Sequence, residues 1–369
     1  MHWGNATNES YWAEYDGLQH AKHQLLGRYL GGWFPILARW NGRVLYVDCH
    51  AGRGRHNKGQ VGSPILALRT LLEHRLRARI LASTEVCFAF FEINRPNYDH
   101  LCAEVASLGK LPHKIKVDPF YGDYEAQLRK IVKGLKQQKE QLAPAFAFLD
   151  PYGFKLPMDL FNELLDFPQC ELLINFMYRY VDMAIHNPAQ AHNLDRLFGC
   201  THWRQLSDIE DRKRRAGETI ALFSRQLQAE YVTHMYMKAA NGTLKYVLLH
   251  ATNHRKGREL MKEAMWSVTP DGSLTAFERN SPDQLVLIVL DPDLGPLKDH
   301  LWDRFVGKQV RMDKLYDWLL GELYLKKHLH KVLRGWCKEG LIKCTGYCGR
   351  FSFNKNPLVL FSAKRSAAI

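Results

Sequence analysis

Residues 43–54 read RVLYVDCHAGRG, and the fold turns on how they are read. An apolar run of strand length ends in Asp48, and a loop of the form D-x-x-A-G-x-G follows. Glycine in such a turn lets the backbone take unusual dihedrals and pass close to a ligand. Ser63 and Pro64 then read as the N-cap and first-turn proline of a helix reaching about residue 78. A glycine loop between a strand and a helix marks nucleoside-binding folds, although alone it also reads as a tight turn.

Outward from this loop the same alternation repeats. VCFAFFE (86–92), KIKVD (114–118), AFAFLD (145–150) and ELLINFMY (171–178) read as strands. Helices are expected over 96–107 and 123–137 between them. The strands are almost continuously apolar, as when helices cover both faces of a sheet. Strand and helix in alternation give a parallel, doubly wound sheet. Ahead of it, residues 11–40 carry Leu18, Leu25, Leu26, Tyr29, Leu30, Trp33 and Phe34 at helical spacing. Residues 186–230, basic around DRKRR (211–215), read as a helical insertion. Asn241-Gly242 joins two further strands in a hairpin, and a helix follows from Gly257 to about Ser267. A parallel run closed by an antiparallel hairpin resembles the sheet of Rossmann-like methyltransferases.

The last segment differs. Residues 295–369 hold fifteen Lys and Arg against six Asp and Glu, nine of the chain's net charge of +13. Two helical stretches, MDKLYDWLLGELY and LKKHLHKVLRGWCKEG, precede the hairpin-like LIKCTGYCGRFSFN, the order of a winged helix-turn-helix. Lys326, Lys327, Lys331, Arg334 and Arg350 are its candidate phosphate contacts. The expected layout is an N-terminal helical segment (1–42), a Rossmann-like domain (43–290) and a winged-helix domain (295–369). So basic a chain points to an acidic partner, most often nucleic acid, DNA or RNA.

The eight cysteines are scattered, which suggests reduced thiols. Cys337, Cys344 and Cys348 cluster at no common zinc spacing and read as core or wing residues, so no metal is expected. No stretch is long and apolar enough to cross a bilayer, and the first residues lack the apolar centre of a signal peptide. The expectation is a cytoplasmic protein.

Three acids fall at successive strand ends. Glu92 stands where a ribose-binding acid belongs, Asp123 and Tyr124 where an adenine would lie, and Asp150 after the fourth strand. With Asp48, Ala51, Gly52 and Gly54 they outline a nucleoside crevice. Asp48 would repel a pyrophosphate but favours the sulfonium and ammonium of S-adenosylmethionine, the expected cofactor. A Mg²⁺-dependent nuclease using Asp48, Glu92 and Asp150 is a rival reading.

The Asp48–Gly54 loop together with DPYG (150–153) resembles methyltransferases that act on exocyclic amines of bases. Those carry D/N-P-P-Y/F, or D-P-F-G in the group that dimethylates tRNA guanine. More narrowly, residues 20–360 resemble the bacterial three-Cys-motif partner protein family, through YVDCHAGRGRH, GSPILAL, FAFLDPYGFKLPM, ELLINFMYRYVDM and HATNHRKGRELMKEAMW. The family name refers to cysteines in a partner protein encoded nearby. The resemblance to amine methyltransferases implies that Asp150 and the Pro151 carbonyl accept hydrogen bonds from the amino group of a flipped base, and that Tyr152 or Phe154 stacks on it. A non-catalytic, nucleic-acid-binding subunit of a repair or defence system is the alternative. Lys22 and His23 either close over the cofactor or lie on a solvated helix face. Asn175 either lines the crevice or is a satisfied buried amide. HATNHRKG (250–257) is either a phosphate-binding helix start or a solvated loop.

Overall fold

The computed structural model describes Trp12 and residues 15–278, 291–347 and 349–363. Cys348 and the 279–290 end of the expected Rossmann-like domain lie outside the described residues. The chain divides into two units, Met1–Val268 with Leu274–Leu285, and Thr269–Ser273 with Val286–Ile369.

The first unit is built on an eight-stranded sheet of order β3-β2-β1-β4-β5-β7-β6-β8. Strands β1 (Arg43–Asp48), β2 (Glu85–Glu92), β3 (Ile115–Tyr121), β4 (Ala145–Leu149) and β5 (Cys170–Phe176) pair in parallel. β7 (Leu244–Thr252) runs antiparallel between β5 and β6 (Tyr231–Lys238). An eighth strand, β8 (Thr275–Phe277), which no pattern in the sequence announces, adds parallel to β6. Every residue of β4 and β5 is buried, the signature of central strands covered on both faces. The order reverses between β1 and β4, and the carboxyl ends there form the crevice such sheets use for ligands.

Helices cover this sheet. α1 (Gly17–Ala38) starts at Asp16, whose carboxylate accepts the Gln19 N–H at 2.7 Å. α2 (Ser63–Leu72) begins one residue earlier than expected: Gly62 is its N-cap and Ser63 already helical. The helix expected to reach residue 78 ends at Leu72, and α3 (Arg77–Ser83) follows. The break is pinned by His74, whose ring accepts the Leu76 N–H at 3.0 Å and reaches the Gly31 carbonyl at 2.9 Å. α4 (Arg95–Ser107) and α5 (Tyr124–Gln138) are capped by Asn94 and Asp123. After β4 and β5 come α6 (Met158–Leu165) and α7 (Tyr178–Ile185). The 186–230 segment is helical, with α8 (Ala191–Phe198), α9 (Arg212–Gln226) and two short 3-10 turns. It buries Leu197, Phe198, Ile220 and Phe223 in the same core as β5, Phe176 meeting Phe223 at 4.6 Å between centroids. α10 (Arg255–Val268) closes the unit against α1.

The second unit holds α11 (Gly295–Phe305), β9 (Gln309–Arg311), α12 (Met312–Gly321), α13 (Lys326–Lys338), β10 (Ile342–Thr345) and β11 (Leu358–Phe361). Its three strands form an antiparallel sheet of order β10-β11-β9. The hairpin expected within 341–354 closes later, because its return strand begins at Leu358. In between, Phe353–Lys355 makes a 3-10 turn capped by Ser352 and sinks Phe353 into the unit's core. α13 buries Leu329, Val332, Leu333 and Trp336 on one face and leaves Lys326, Lys327, Lys331 and Arg334 exposed on the other.

Candidate active-site crevice

β1 delivers Asp48 to the switch point with no exposed surface at all. Its carboxylate accepts the His50 N–H at 3.2 Å, the Tyr46 hydroxyl at 3.3 Å and a hydrogen bond from Ser63. Burial raises its pKa to about 7, against the lowering effect of these donors. Asp48 is therefore an acid whose ionisation a nearby cation would favour.

The glycine loop has two tasks that the sequence did not separate. Gly52 has φ +65°, and a Cβ there would lie 2.5 Å from the Trp12 indole. Trp12 packs directly against it. Gly54, at φ +78°, has Leu101 and Ile65 beside the place a Cβ would take, so its lack of a side chain serves the packing of α2 and α4. Ala51 is buried beside them, its N–H bonded to the Phe91 carbonyl at 2.9 Å. Glu92 binds the Gly52 N–H at 2.8 Å and the Asn94 N–H at 2.6 Å, clamping the loop to the end of β2. Asp123 is exposed and caps α5, while Tyr124 is buried with its ring 4.9 Å from that of His50.

The fourth strand ends at the centre. Asp150 receives the Lys22 ammonium at 2.5 Å on one oxygen and the Asn175 amide at 2.5 Å on the other. Lys22 is only 3% exposed, so the solvated-face reading of α1 is overturned. The apolar stripe had put it there: Lys22 falls between Leu18, Leu25 and Leu26. Burial pushes the Asp150 carboxyl up, but Lys22 and Asn175 outweigh it and the net shift is downward. His23 beside it is also buried. Burial, then the Lys22 charge, lowers its pKa to about 3, so it is neutral and its Nδ1 meets the Tyr15 hydroxyl at 3.0 Å. Trp12, Tyr15, His23 and His56 pack ring on ring over this end of the sheet. No sequence signal marks Trp12, Tyr15 or His56 as members of that group.

The DPYG turn sets its two rings differently. Pro151 is buried, and Gly153 takes φ +107°. Tyr152 stands 65% exposed with its ring 6.1 Å from Tyr180. Phe154 is half-buried and packs against the core.

Three buried polar atoms around this centre have no partner among the described residues: His50 Nδ1, Tyr124 Oη and Asn175 Oδ1. Asn175 is thus satisfied on its nitrogen but not its oxygen. Such atoms cost free energy unless something fills them. Among the described residues no three of His, Cys, Asp and Glu gather as metal ligands, so Asp48, Glu92 and Asp150 do not form the nuclease cluster.

HATNHRKG lies elsewhere. β7 is antiparallel to β5, and Thr252 pairs with Glu171 at the opposite end of the sheet from the crevice. Thr252 caps the turn by accepting the His254 N–H at 3.0 Å. In the second unit, the five basic candidates are all exposed. Lys331 pairs with Asp291 at 3.1 Å, Lys326 sits 5.0 Å over the Tyr316 ring, and Arg334 lies 5.9 Å over Phe353. No described helix is long and apolar enough to cross a membrane.

No family model and no curated protein matches the sequence. Solved structures that it resembles include Trm1 from Pyrococcus horikoshii in complex with S-adenosyl-L-methionine, at 12% identity over 94% of this chain and 91% of that one, TM-score 0.38. Human methyltransferase-like protein 13 in complex with SAH matches at 13% identity over 73% and 97%, TM-score 0.34. Protein LPL1258 from Legionella pneumophila matches at 13% identity over 69% and 92%, TM-score 0.37. Likeness at this level carries no argument about activity or substrate.

Proposed function

We propose that the chain is an S-adenosylmethionine-dependent methyltransferase acting on nucleic acid, at an exocyclic amine of a base. One observation carries the reading: a fully buried acid, Asp48, and three buried polar atoms without partners among the described residues gather near the switch point of the sheet. The bound cofactor would supply a methyl group on a sulfonium cation. Asp48 offers that cation a carboxylate poised near neutrality. Ala51 and Gly52 give the backbone that borders the cofactor, and Glu92, held by the Gly52 and Asn94 N–H groups, is the acid placed for a ribose. Tyr124 would lie beside the adenine with Asp123 at its rim, and Gly54 has only an indirect part.

On the substrate side, Tyr152 is the exposed ring on which a flipped base stacks, with Tyr180 behind it. Asp150, charged and held by Lys22, and the Pro151 carbonyl accept from the amino group. Asn175 Oδ1 is a further acceptor at hand. Catalysis of this kind is positioning and exclusion of water. The second unit supplies affinity as a winged helix, with Lys326, Lys327, Lys331, Arg334 and Arg350 on phosphates. Membership of the three-Cys-motif partner family, and with it a protein partner, belongs to the same proposal.

Tritiated methyl transfer to DNA and to tRNA tests it. Tyr152→Ala is expected to lower transfer at least about ten-fold, one lost base stack, with cofactor binding unchanged. Unchanged transfer would remove Tyr152 from the mechanism. A second reading, a non-catalytic nucleic-acid-binding subunit, has its own support: Trp12 packs on Gly52 of the glycine loop and Lys22 already pairs with Asp150. Under that reading the protein binds nucleic acid and no cofactor.

A further inference from the structure

The turn between β10 and β11 carries an aromatic ladder that phosphate binding does not explain. Phe353 is buried, with the His330 ring stacked on it at 4.7 Å and the Arg334 guanidinium 5.9 Å from its centre. Phe351 stands edge-on to Phe353 at 4.9 Å, and Tyr347 edge-on to Phe351 at 5.1 Å. Tyr347 and Phe351 are each 37% exposed. The ladder thus climbs from the core to the surface and holds its two outer rings in place, at the expense of leaving apolar surface in water. Gly346 (φ +70°) and Gly349 (φ +67°) supply the left-handed turns that present them.

The surroundings select the occupant. Residues 341–363 include Lys343, Arg350 and Lys355 and not one acid, within a segment of net charge +9. Exposed rings beside cations suit a polyanion that also offers flat apolar faces. A paired duplex hides those faces in its stack, while a single strand presents them. We propose that Tyr347 and Phe351 form a stacking platform for unpaired bases, so that the second unit takes single-stranded nucleic acid or a duplex end with an unpaired overhang. The inference rests on the nucleic-acid reading above but not on methyl transfer.

Fluorescence anisotropy with the full-length protein tests it, using dye-labelled single strands, blunt duplexes of the same sequence and single strands bearing abasic sites. The Tyr347→Ala/Phe351→Ala variant is expected to lose at least about ten-fold in single-strand affinity and to keep its duplex affinity. Trp at both positions should retain single-strand binding, and abasic sites should weaken the wild type. Equal losses on both ligands would mean that the rings only shape the turn, and no loss on either would assign them to another partner, such as a protein; each overturns the platform. Lys326→Gln/Arg334→Gln should weaken both ligands and flatten the salt dependence. A wild type that binds no oligonucleotide at low salt would end the nucleic-acid reading itself, whereas intact binding that ignores the rings would end only this inference.

Discussion

Two buried acids flank the ends of β5, and α1 reaches both. Asp150, beside its carboxyl end, takes Lys22; Glu171, near its start, takes the Tyr29 hydroxyl at 2.5 Å and the Trp33 indole at 3.1 Å. His250 adds a third donor to Glu171 at 2.9 Å. In both carboxyls burial pushes the pKa up and the partners outweigh it, so both are held below the usual range. The neighbourhoods differ. Around Glu171 the hydrogen-bond donors converge on the carboxylate, and what is left over is the bare Nδ1 of His250. Around Asp150, His50, Tyr124 and Asn175 each leave a buried polar atom without a partner among the described residues. A polar cluster that closes on itself is scaffold, whereas one that leaves acceptors and donors open is prepared for a ligand.

The largest effect should come from removing the one cation. Lys22→Met leaves Asp150 buried without its counter-charge and should cost about 3–5 kcal/mol in urea unfolding. A loss under about 1 kcal/mol would mean that the crevice is wetter than its burial implies. Next comes Asp48. Its folded pKa, about 7, lies above the ordinary 3.8, so the native state binds the extra proton. Stability from that proton is complete below the ordinary value and is lost as pH rises toward 7, by roughly 3–4 kcal/mol. Asp48→Asn should flatten this decline; a wild type equally stable across that window would refute the assignment. Asp150 and Glu171 act with the opposite sign, since their depressed values protect the fold until strong acid. Smaller still, Glu171→Gln should cost about 2 kcal/mol by weakening charged hydrogen bonds, and leave ligand binding at the other end of the sheet unaltered. A change in crevice affinity would break the contrast between the two ends.

Much of the fold was legible because its signals were local. Strands β1 to β5 read from apolar runs, and Asn241-Gly242 located the β6–β7 hairpin. Strand β8 was not legible, since three residues pair only because β6 offers a free edge. The split between α2 and α3 depends on a His74 contact to a distant helix. The placement of Asp48, Glu92 and Asp150 at strand ends was legible, because chain order fixes it. That Tyr152 stands exposed while Phe154 packs half-buried against the core was not legible, because which way a turn faces is not written in its composition. Lys22 was underrated although its position on the apolar face of α1 was visible. Trp12 and His56 come together only in three dimensions.

The account rests on the open polar atoms at the switch point belonging to a cofactor site. Isothermal titration calorimetry of S-adenosylmethionine and its demethylated product into the full chain, wild type and Asp48→Asn, tests this directly. The account predicts wild-type binding that tightens as pH rises through about 7 and weakens in Asp48→Asn. No heat at millimolar ligand, with the protein folded, would contradict it.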